Sequence, residues 1–526
     1  MAVTSMVPEP LATLSAAAAQ QWATANGTWI KLILDAHSAW LTEAEVEKHQ
    51  AAYDGYLESI DLRDKSRGDD TNNKLYVNLA GLVIDTVVDY MVAKPPTWTV
   101  ENADLPDAET KEPEIVTEYR KKLLKLLRTE QGQRVMAEQL RQGSIAGYSC
   151  IIAWVNEKGK IDYEEFPVQE VIPVYDTRGR LILVLRYYEM EVPNAMGSVD
   201  TYKRVEVYDD RYVTYYRSED IGEGYILDDV EDGTANPIEH KAGRIPVSIF
   251  INGTPARYAK RLKKAGTSDL GNGVFSLLEA YAAGVSDKAN LAEYLQDQYL
   301  ALTGVDVDEK EVLKMRKARA IALKNKDSTA EFIAQSQEDK TVENYLDRVE
   351  NLIYDMTLTP KLKDLSGATA TEVRMKYVNL DIKASKKETY YTDSTNQFVA
   401  VLTDLLNAEL LSAKGIDSPY DILSEPGVYE KRQDLYNPEW VQFTFNRNLP
   451  QNHKEIADIV AELAGIAPDS YLLELLWFVD DPVAALAEMK KQKADEAKAN
   501  LDAMGFGGEF GNTSSAAGAA AGSTGA

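Results

Sequence analysis

The sequence predicts an α+β protein in which helical and strand-forming stretches occupy separate parts of the chain. Apolar residues recur at helical spacing through residues 29–62 and 75–142, and again from residue 274 onward. Between residue 147 and about residue 250 the chain consists of short Tyr- and Val-rich runs separated by turn signals, which is typical of antiparallel strands. Strands and helices do not alternate regularly, so neither a Rossmann-like nor a TIM-barrel design is expected.

Length and composition indicate a large globular protein. At 526 residues the chain is long enough for about three or four units, or for one large domain with insertions. Its one cysteine, Cys150, lies in an apolar context, which excludes a disulfide framework and makes a cysteine-based metal site unexpected. The net charge of −27 has the wrong sign for a protein that grips nucleic acid over a broad surface.

Targeting signals are not expected in this sequence. The opening MAVTSMVPEP has no positively charged start followed by an apolar run, and no segment reaches the roughly 18 uninterrupted apolar residues of a membrane span. We therefore expect a cytoplasmic protein without a membrane segment.

The first helical part contains one segment that is open to three interpretations. NLAGLVIDTVVDYMVAKPP (78–96) is the most apolar long stretch, carries Asp85 and Asp89, and stops at a double proline. The two aspartates argue against a membrane segment, and without a third ligand or a basic partner they do not indicate catalysis. We expect an amphipathic helix whose apolar face follows helical spacing and whose opposite face carries the aspartates. The predicted apolar face comprises Leu75, Leu79, Leu82, Val83, Thr86, Val87 and Tyr90.

Other local signals predict helices, helix caps and a turn elsewhere in the chain. Thr42 and Glu45 have capping-box spacing within the first helical stretch, and residues 115–142 form a second helical block. Asp209 and Asp210 suggest either a metal-binding carboxylate pair or, more simply, the turn of a hairpin. In GTSDLGNG (266–273), Ser268 or Asp269 is expected to cap the helix that follows.

The second half of the chain predicts two long helices around a small insert. The helices span 274–299 and 340–356, and the insert contains a strand at 300–307, a basic helix at 309–324 and a strand at 329–336. A very long helix is expected from Thr369 to about Leu411, and most of the remainder to Met504 is expected to be helical. Residues 1–27 and the Gly/Ala/Ser-rich tail 505–526 predict flexible ends.

Enzyme signatures are absent from the sequence. It contains neither a P-loop nor an H-E-x-x-H pattern, and its histidines, at positions 37, 49, 240 and 453, are scattered. We therefore predict no catalytic residue, no cofactor and no metal. A metal-dependent hydrolase using Asp209 and Asp210 is the weakest alternative.

The basic helix differs from the rest of this acidic chain. It presents either a solvated face or a docking surface for an acidic partner or a neighbouring copy of the chain. Its six cations are Lys310, Lys314, Arg316, Lys317, Arg319 and Lys324.

Five segments, taken in order, resemble those of siphophage-type phage portal proteins. Any one of them alone would be weak evidence, but five in family order are specific. They run from residues 78–96 to a C-terminal block that is followed by helices ending near Asp480, Asp481, Pro482 and Glu488. The segments are residues 78–96, NPIEHKAGRIPVSIFING (236–253), GTSDLGNGVFSLLEAYAAGVSD (266–287), LSGATATEVRMKYVNLDIKASKKETYY (365–391) and FTFNRNLPQNHKEIADIVAELAG (443–465).

The resemblance implies the portal fold and a division of the chain by position. This fold has long stem and channel helices, a β-rich wing, a small αβ clip and a helical crown. The implied regions are a wing at 28–270, stem helices at 271–297 and 340–357, a clip at 298–339, a channel loop at 358–370, a long wing helix at 371–406 and a crown at 407–504.

The resemblance also implies a function. It implies a ring of about twelve copies at one capsid vertex, through which double-stranded DNA passes during packaging and ejection without being read for sequence. The implied partners are terminase, head-completion or adaptor proteins, and the major capsid and scaffolding proteins. The implied location is the virion, after assembly in the host cytoplasm. The alternative is another structural virion protein, such as a minor head or adaptor protein.

Two surfaces are implied as sites. The basic helix 309–324 would form part of the clip surface on which the motor docks. Lysines of the channel loop would either touch passing DNA weakly or remain solvated. The predicted loop residues are Thr359, Pro360, Lys361, Lys363 and Asp364.

Overall fold

The chain divides into two units, residues 1–448 and 449–526, and the elements below belong to the first unit unless stated otherwise. The structure is a computed structural model. It describes residues 28–493 except for 65–71, 102–112, 177–179, 194–197, 219–223, 229–235, 254–265, 272, 297–298, 304–307, 309, 311–328, 334–338, 362–374, 448–459, 475–484 and 487. The predicted flexible ends therefore lie outside the described residues.

The first helical part consists of four helices rather than continuous blocks. The predicted capping box is wrong, because Thr42 still belongs to the first helix and its hydroxyl donates to the carbonyl oxygen of Ser38 at 3.1 Å. The chain then turns at Glu45, whose φ of 54° is left-handed, before the second helix begins. The helices are α1 (Thr28–Glu43), α2 (Val46–Tyr53), α3 (Glu58–Asp61) and α4 (Leu79–Val92).

Helix α4 is the predicted amphipathic helix, but it is buried over a wider arc than one stripe. Asn78 caps it by accepting a hydrogen bond from the amide of Gly81 at 2.8 Å. Ile84, Val88 and Met91 are buried although the predicted face omits them, whereas Leu82 of that face is 38% exposed. The reason is that α2 and two later helices, α6 (Glu130–Ala146) and α9 (Val378–Ala413), all pack against α4, so a single stripe does not account for its burial.

The second helical block is divided by one capping residue. Helices α5 (Glu114–Leu127) and α6 (Glu130–Ala146) are separated by Thr129, whose hydroxyl accepts from the amide of Gly132 at 3.0 Å. Gly147, with a φ of 102°, ends α6 in the left-handed conformation that glycine adopts without strain.

The predicted single β region forms two antiparallel sheets. A three-stranded sheet has the order β10-β2-β3, and a six-stranded sheet has the order β4-β5-β6-β7-β8 with β9 paired to β7. Local alternation predicts strands but not which strands pair, so this division was not visible in the sequence. The strands are β2 (Tyr148–Val155), β3 (Ile161–Phe166), β4 (Val171–Tyr175), β5 (Leu181–Pro193), β6 (Val199–Tyr208), β7 (Tyr212–Ser218), β8 (Tyr225–Leu227), β9 (Ile238–Glu239) and β10 (Val247–Ile251).

Asp209 and Asp210 form the predicted hairpin turn between β6 and β7. The Asp209 carboxylate accepts from the amides of Arg211 and Tyr212 at 2.7 and 2.6 Å. The Asp210 carboxylate accepts from the hydroxyl of Tyr420 at 2.7 Å. The turn interpretation is confirmed.

Helix α1 covers one face of the six-stranded sheet. Its buried side chains Trp29, Ile30 and Ile33 join one hydrophobic cluster with residues of β4, β5, β6 and β7. A second cluster connects α1 and α2 to both sheets through Trp40, Tyr148 and Val184. The two sheets therefore share one body.

Strand β1 (Thr97–Val100) pairs antiparallel with β13 (Val441–Thr444), far away in sequence. The sequence predicts interruptions of the C-terminal helices at residues 435–440 and 443–450, and β13 spans the start of the second interruption, where no strand was predicted. Trp98 faces Phe443 with ring centroids 5.2 Å apart, and Phe443 and Phe445 extend the aromatic contact toward the core. Two four-residue strands are too short to be recognised from local periodicity.

Two long helices flank a two-stranded ribbon, as predicted. Helix α7 (Val274–Gln296) packs on α8 (Asp339–Thr357), and between them in sequence β11 (Tyr299–Thr303) pairs antiparallel with β12 (Thr329–Ile333). The remaining helices are α9 (Val378–Ala413), α10 (Pro419–Leu423), α11 (Val428–Lys431), a 3₁₀ turn (Pro438–Trp440) and, in the second unit, α12 (Asp469–Glu474).

Among the residues that the structure describes, no helix combines the length and apolar character needed to cross a bilayer.

Two helix glycines provide a test of the packing. A Cβ on Gly143 would lie 2.3 Å from Cδ1 of the buried Phe250 ring, whereas a Cβ on Gly284 would meet only the end of the Leu346 side chain, at 2.8 Å. We expect Gly143→Ala to lower the free energy of unfolding by about 1–3 kcal/mol, because the rigid ring has to move. Gly284→Ala should be near neutral, since alanine also favours the helix.

Chemical denaturation of the two full-length variants measures this difference. Equal effects of the two substitutions would contradict the close packing of α6 on β10.

Candidate functional site: a buried ion-pair network on helix α9

The network lies where the segment before α7 passes between α6 and α9. Gly266 is required there, because a Cβ would lie 2.2 Å from the carbonyl oxygen of Gly147. Three residues after Gly266, the amide of Asp269 donates to the carbonyl oxygen of Ser144 at 2.9 Å. The entry to α7 is therefore fastened to the end of α6 by its backbone.

Asp269 is the centre of the network. Its Oδ2 accepts from Nζ of Lys387 at 2.8 Å and lies 3.2 Å from Nζ of Lys383, while Oδ1 accepts from Nδ2 of Asn252 at 2.9 Å. The predicted cap function of Asp269 is therefore wrong, because its side chain points into the protein rather than at the first turn of α7. Ser268 accepts from the amide of Leu270, two residues on, in a turn that precedes α7.

The charges in this network are buried and unequal in number. Burial alone would raise the pKa of Asp269, but Lys383, Lys387 and the hydrogen bonds hold it well below its usual range. Burial lowers the pKa of Lys387 to about 8, because the attraction of Asp269 is partly cancelled by the like charge of Lys383. One carboxylate thus binds two ammonium groups on successive turns of α9, and the three groups together keep a positive charge.

A second ion pair binds the opposite side of the same turns. Nε of Arg447 lies 3.4 Å from Oδ1 of Asp381, its guanidinium also pairs with Glu388, and it sits over the ring of Tyr90 at 5.7 Å. Tyr90 in turn donates its hydroxyl to Asp381 at 3.0 Å. Arg447 therefore connects the strand β13 region, the end of α4 and α9.

Uncharged contacts continue the attachment along α9. The hydroxyl of Tyr391 donates to the carbonyl oxygen of Met136 at 2.6 Å, and its ring contacts Phe250 and Phe445 at centroid distances of 5.1 and 5.5 Å. The hydroxyl of Ser248 donates to the carbonyl oxygen of Ser394 at 2.7 Å.

The far end of α9 carries its own buried carboxylate. Asp404 is fully buried and pairs with Nε of Arg244 at 2.8 Å, and the hydroxyl of Tyr429 also donates to it. Burial raises the pKa of Asp404, although Arg244 and the hydrogen bonds oppose the increase. A buried charge with these partners fixes the position of α9 relative to the segment before β10.

Asp85 has a partner that the sequence did not reveal. Its carboxylate accepts from the hydroxyl of Tyr53 at 2.9 Å and pairs with Nε of Arg141 at 3.2 Å. Asp89, one turn on, is exposed. Asp85 thus has a structural role within the chain.

The histidines that are described have structural roles as well. His37 is fully buried, stacks on Trp40 and lies within hydrogen-bonding distance of Tyr148 and Tyr187. Burial lowers the pKa of His37 and of His240 to about 4. Among the described residues no group of histidine, cysteine and carboxylate side chains has the arrangement of a metal site.

Three of the five predicted channel-loop residues are described. Thr359, Pro360 and Lys361 follow the end of α8, and Nζ of Lys361 donates to Glu350 at 2.9 Å and to Asn351 at 3.1 Å. The ammonium group of Lys361 is thus held against α8. Lys363 and Asp364 lie outside the described residues.

Only one residue of the predicted docking helix is described. Lys310 is helical and exposed. Lys314, Arg316, Lys317, Arg319 and Lys324 lie outside the described residues.

The network was not predicted from the sequence, although its residues all lie in segments that resemble portal proteins. Lys383 and Lys387 are four apart and therefore share a helix face, which was the available signal. The spacing of the two lysines does not reveal their partner. Asp269 lies more than a hundred residues earlier, in a position where the sequence predicts a helix cap.

Another buried carboxyl group lies in the three-stranded sheet. Glu165 of β3 has an Oε1 atom that is buried without a hydrogen-bond partner among the described residues. Burial, together with the negative charges of Glu138, Glu164 and Glu170, raises its pKa to about 8. The folded protein therefore holds a proton on Glu165 at neutral pH.

Comparison with known proteins gives two matches. The model of the family described as phage portal protein, SPP1 Gp6-like, matches residues 42–499. The portal protein of Bacillus phage SPP1 is 27% identical over 255 residues, an alignment that covers 44% of this chain and 45% of that protein. The aligned region thus spans less than half the length of this curated relative.

The Asp269 network provides a prediction about stability. We expect Asp269→Asn to lower the free energy of unfolding by about 3–5 kcal/mol, because the buried ammonium group of Lys387 and the partly buried one of Lys383 lose their counter-charge. Asp434→Asn is the matched control, since Asp434 also pairs with two cations, Lys414 and Arg432, but is largely exposed. Its loss should cost no more than about 1 kcal/mol.

Urea denaturation of both full-length variants at neutral pH compares the two costs. Similar costs would show that the Asp269 network does not hold α9 in place.

Glu165 provides a prediction about pH dependence. Its pKa is raised in the folded state, so its contribution to stability is fully present below about pH 4.5 and is lost as the pH rises through about 8. We expect Glu165→Gln, which cannot ionise, to gain stability relative to the parent protein between pH 5 and pH 8.

Thermal unfolding of Glu165→Gln across this range measures the difference, with Glu164→Gln as the neighbouring control. A constant difference between Glu165→Gln and the parent would contradict a buried, protonated carboxyl group.

Proposed function

The chain belongs to the family of SPP1 Gp6-like phage portal proteins, and on that premise we propose that its copies form a ring through which a viral genome passes. The ring would occupy one capsid vertex and contain about twelve copies. Double-stranded DNA would move through it during packaging and ejection. The family is structural rather than enzymatic, so the proposed role is that of a channel and platform.

The single observation that best supports this proposal is the helix pair α7 and α8 with its ribbon. The two helices pack along one another, and the chain between them forms the antiparallel strands β11 and β12. Helix α7 is joined to the body through Asp269 and through Arg63, which pairs with Asp287. Such a pair is suited to line a channel, with the ribbon at its end.

We propose that the chain is divided into the regions that the resemblance implies. We assign the wing to residues 28–270, the stem helices to 271–297 and 340–357, and the clip to 298–339. The channel loop is assigned to 358–370, the long wing helix to 371–406 and the crown to 407–504. The predicted border at 406 lies inside α9, so this helix would run from the wing into the crown.

Charge supports passage without tight binding. Non-specific protein–DNA binding with a Kd of about 10⁻⁴ to 10⁻⁶ M would hold the duplex at every step. Helices α7 and α8 together carry eight acidic and three basic residues, an excess that repels phosphates. Glu343 and Glu350 of α8 have cationic partners within the chain, whereas Asp347 and Asp355 are exposed.

The proposed partners include a separate packaging motor. It carries no nucleotide-binding P-loop, so a separate motor has to drive packaging. We propose that terminase docks on the clip, that head-completion or adaptor proteins later take its place, and that capsid and scaffolding proteins surround the ring. The mature protein would be part of the virion, after assembly in the host cytoplasm.

Ring formation is the first prediction of this proposal. Purified full-length protein should appear in negative-stain images as closed rings with a central hole, and its native mass should equal about twelve chains. Monomers, or an assembly without a hole, would instead support a minor head or adaptor protein.

Docking on the clip is the second prediction. Charge reversal at Lys314 and Lys317 should impair packaging while leaving rings intact, because an acidic partner surface would be repelled. The control reverses Lys241 and Lys431, which are exposed in the described body. Normal DNA packaging by the Lys314 and Lys317 variant would refute docking through this helix.

A further inference from the structure

Helix α5 presents a basic strip to solvent, which we define as Lys121, Lys125 and Arg128. All three residues are exposed. Lys121 and Lys125, four apart, lie on one face of α5, and Arg128 directly follows the last residue of the helix. The strip extends about 10 Å along the helix axis. It stands out because the whole chain carries a net charge of −27.

The three cations of the strip are not neutralised by the described part of the chain. Lys122, which points to another side of α5, pairs with Glu118 at 3.2 Å and lies 4.0 Å from Glu409. Within the described residues, no carboxylate lies within 4.0 Å of the charged groups of the strip. Its charge is therefore available to a partner.

The body of the protein fixes the direction in which the strip points. The opposite face of α5 buries Val116, Tyr119, Leu123 and Leu127. The hydroxyl of Tyr119 is 2.6 Å from that of Thr403 on α9, and the Tyr119 ring stacks on Tyr436 at a centroid distance of 5.1 Å. Helix α5 cannot rotate without breaking these contacts.

Helix α5, which carries the strip, contacts α9 far from the level at which the entry to α7 contacts it. The entry to α7 meets α9 at Lys383 and Lys387, whereas α5 meets it at Thr403 and, through Lys122, near Glu409. At 1.5 Å per residue these two levels are about 24–39 Å apart along α9.

The chemistry of the strip suits phosphate better than protein. Every exposed residue of α5 is polar or charged, so the face offers no apolar centre of the kind that stable protein interfaces contain. Lysine is depleted in such interfaces, whereas protein–DNA interfaces are polar and positively charged. Flexible cations along a helix can follow a phosphate backbone without reading its sequence.

A neighbouring turn extends the positive surface. Lys158 and Lys160 are exposed in the turn between β2 and β3. Strand β3 begins beside the end of α5, where the hydroxyl of Tyr163 donates to the carbonyl oxygen of Leu126 at 2.7 Å.

We propose that the basic strip is a weak, sequence-independent contact for the phosphates of duplex DNA. The proposal rests on the proposed function only for the source of the DNA, which is the packaged genome. The strip would hold nearby duplex at the end of the body that lies away from the helix pair, while the acidic helix pair leaves the passage itself free.

Salt dependence of DNA binding tests the strip. The full-length assembled protein would be titrated into a dye-labelled linear duplex of about 200 bp, and the anisotropy measured between about 50 and 200 mM NaCl. The test variant is Lys121→Gln/Lys125→Gln/Arg128→Gln. Loss of three phosphate contacts should flatten the slope of log K against log salt by about 2.7, so the parent should weaken about 40-fold more than the variant over this range.

The control variant is Lys241→Gln/Lys431→Gln/Lys490→Gln, which removes the same charge at exposed lysines elsewhere. It should bind like the parent. Equal slopes for parent and test variant, or equal losses in test and control variants, would overturn the proposal.

Native mass separates this proposal from the proposed function. If the parent forms rings but the test variant does not, while DNA binding per chain is unchanged, the strip is a protein interface and the proposal is wrong. Absence of rings in the parent argues against the portal role and leaves the comparison of salt slopes as the test of the strip.

Discussion

The fold of the first unit depends on a single buried carboxylate that serves two lysines. Asp269 lies before α7, while Lys383 and Lys387 occupy adjacent turns of α9, so their attraction fixes the long helix against the base of the helix pair. Asn252 from the end of β10 completes the site, and Ser144 of α6 accepts the Asp269 amide and the Lys387 ammonium. Any movement of α7 relative to the sheets must therefore carry α9 with it or expose uncompensated charge.

This network brings together segments that are far apart in the sequence and that each resemble portal proteins. Asp269, Lys387 and Asn252 come from three of the five segments that resemble portal proteins, and Tyr90 and Arg447 from the other two meet α9 at Asp381. Residues 381–388 of α9 therefore join all five. A helix fixed by charge on two sides is suited to transmit displacement between the helix pair and the region around β13, since packed elements move as units.

Charge is distributed unevenly over the molecule, and this bears on the handling of DNA. Acidic residues predominate on α7 and α8. Lys121 and Lys125 of α5, which have no carboxylate partner among the described residues, lie near the other level of α9. A polyanion is repelled by the first surface and attracted by the second, and the screening length of about 10 Å at 0.1 M salt keeps the two effects separate. The overall charge of −27 does not reveal this arrangement.

The sequence by itself determined the class of fold, the helix pair with its insert, the turn at Asp209 and the resemblance to portal proteins, because these depend on local periodicity, turn chemistry and segment order. Only the tertiary structure decided that the β region is two sheets, that β1 pairs with β13, and that Asp269 binds two lysines instead of capping a helix. The physical reason is distance along the chain. Strand pairing and buried ion pairs bring together residues more than a hundred positions apart, and the partner of such a residue leaves no trace in the residues around it.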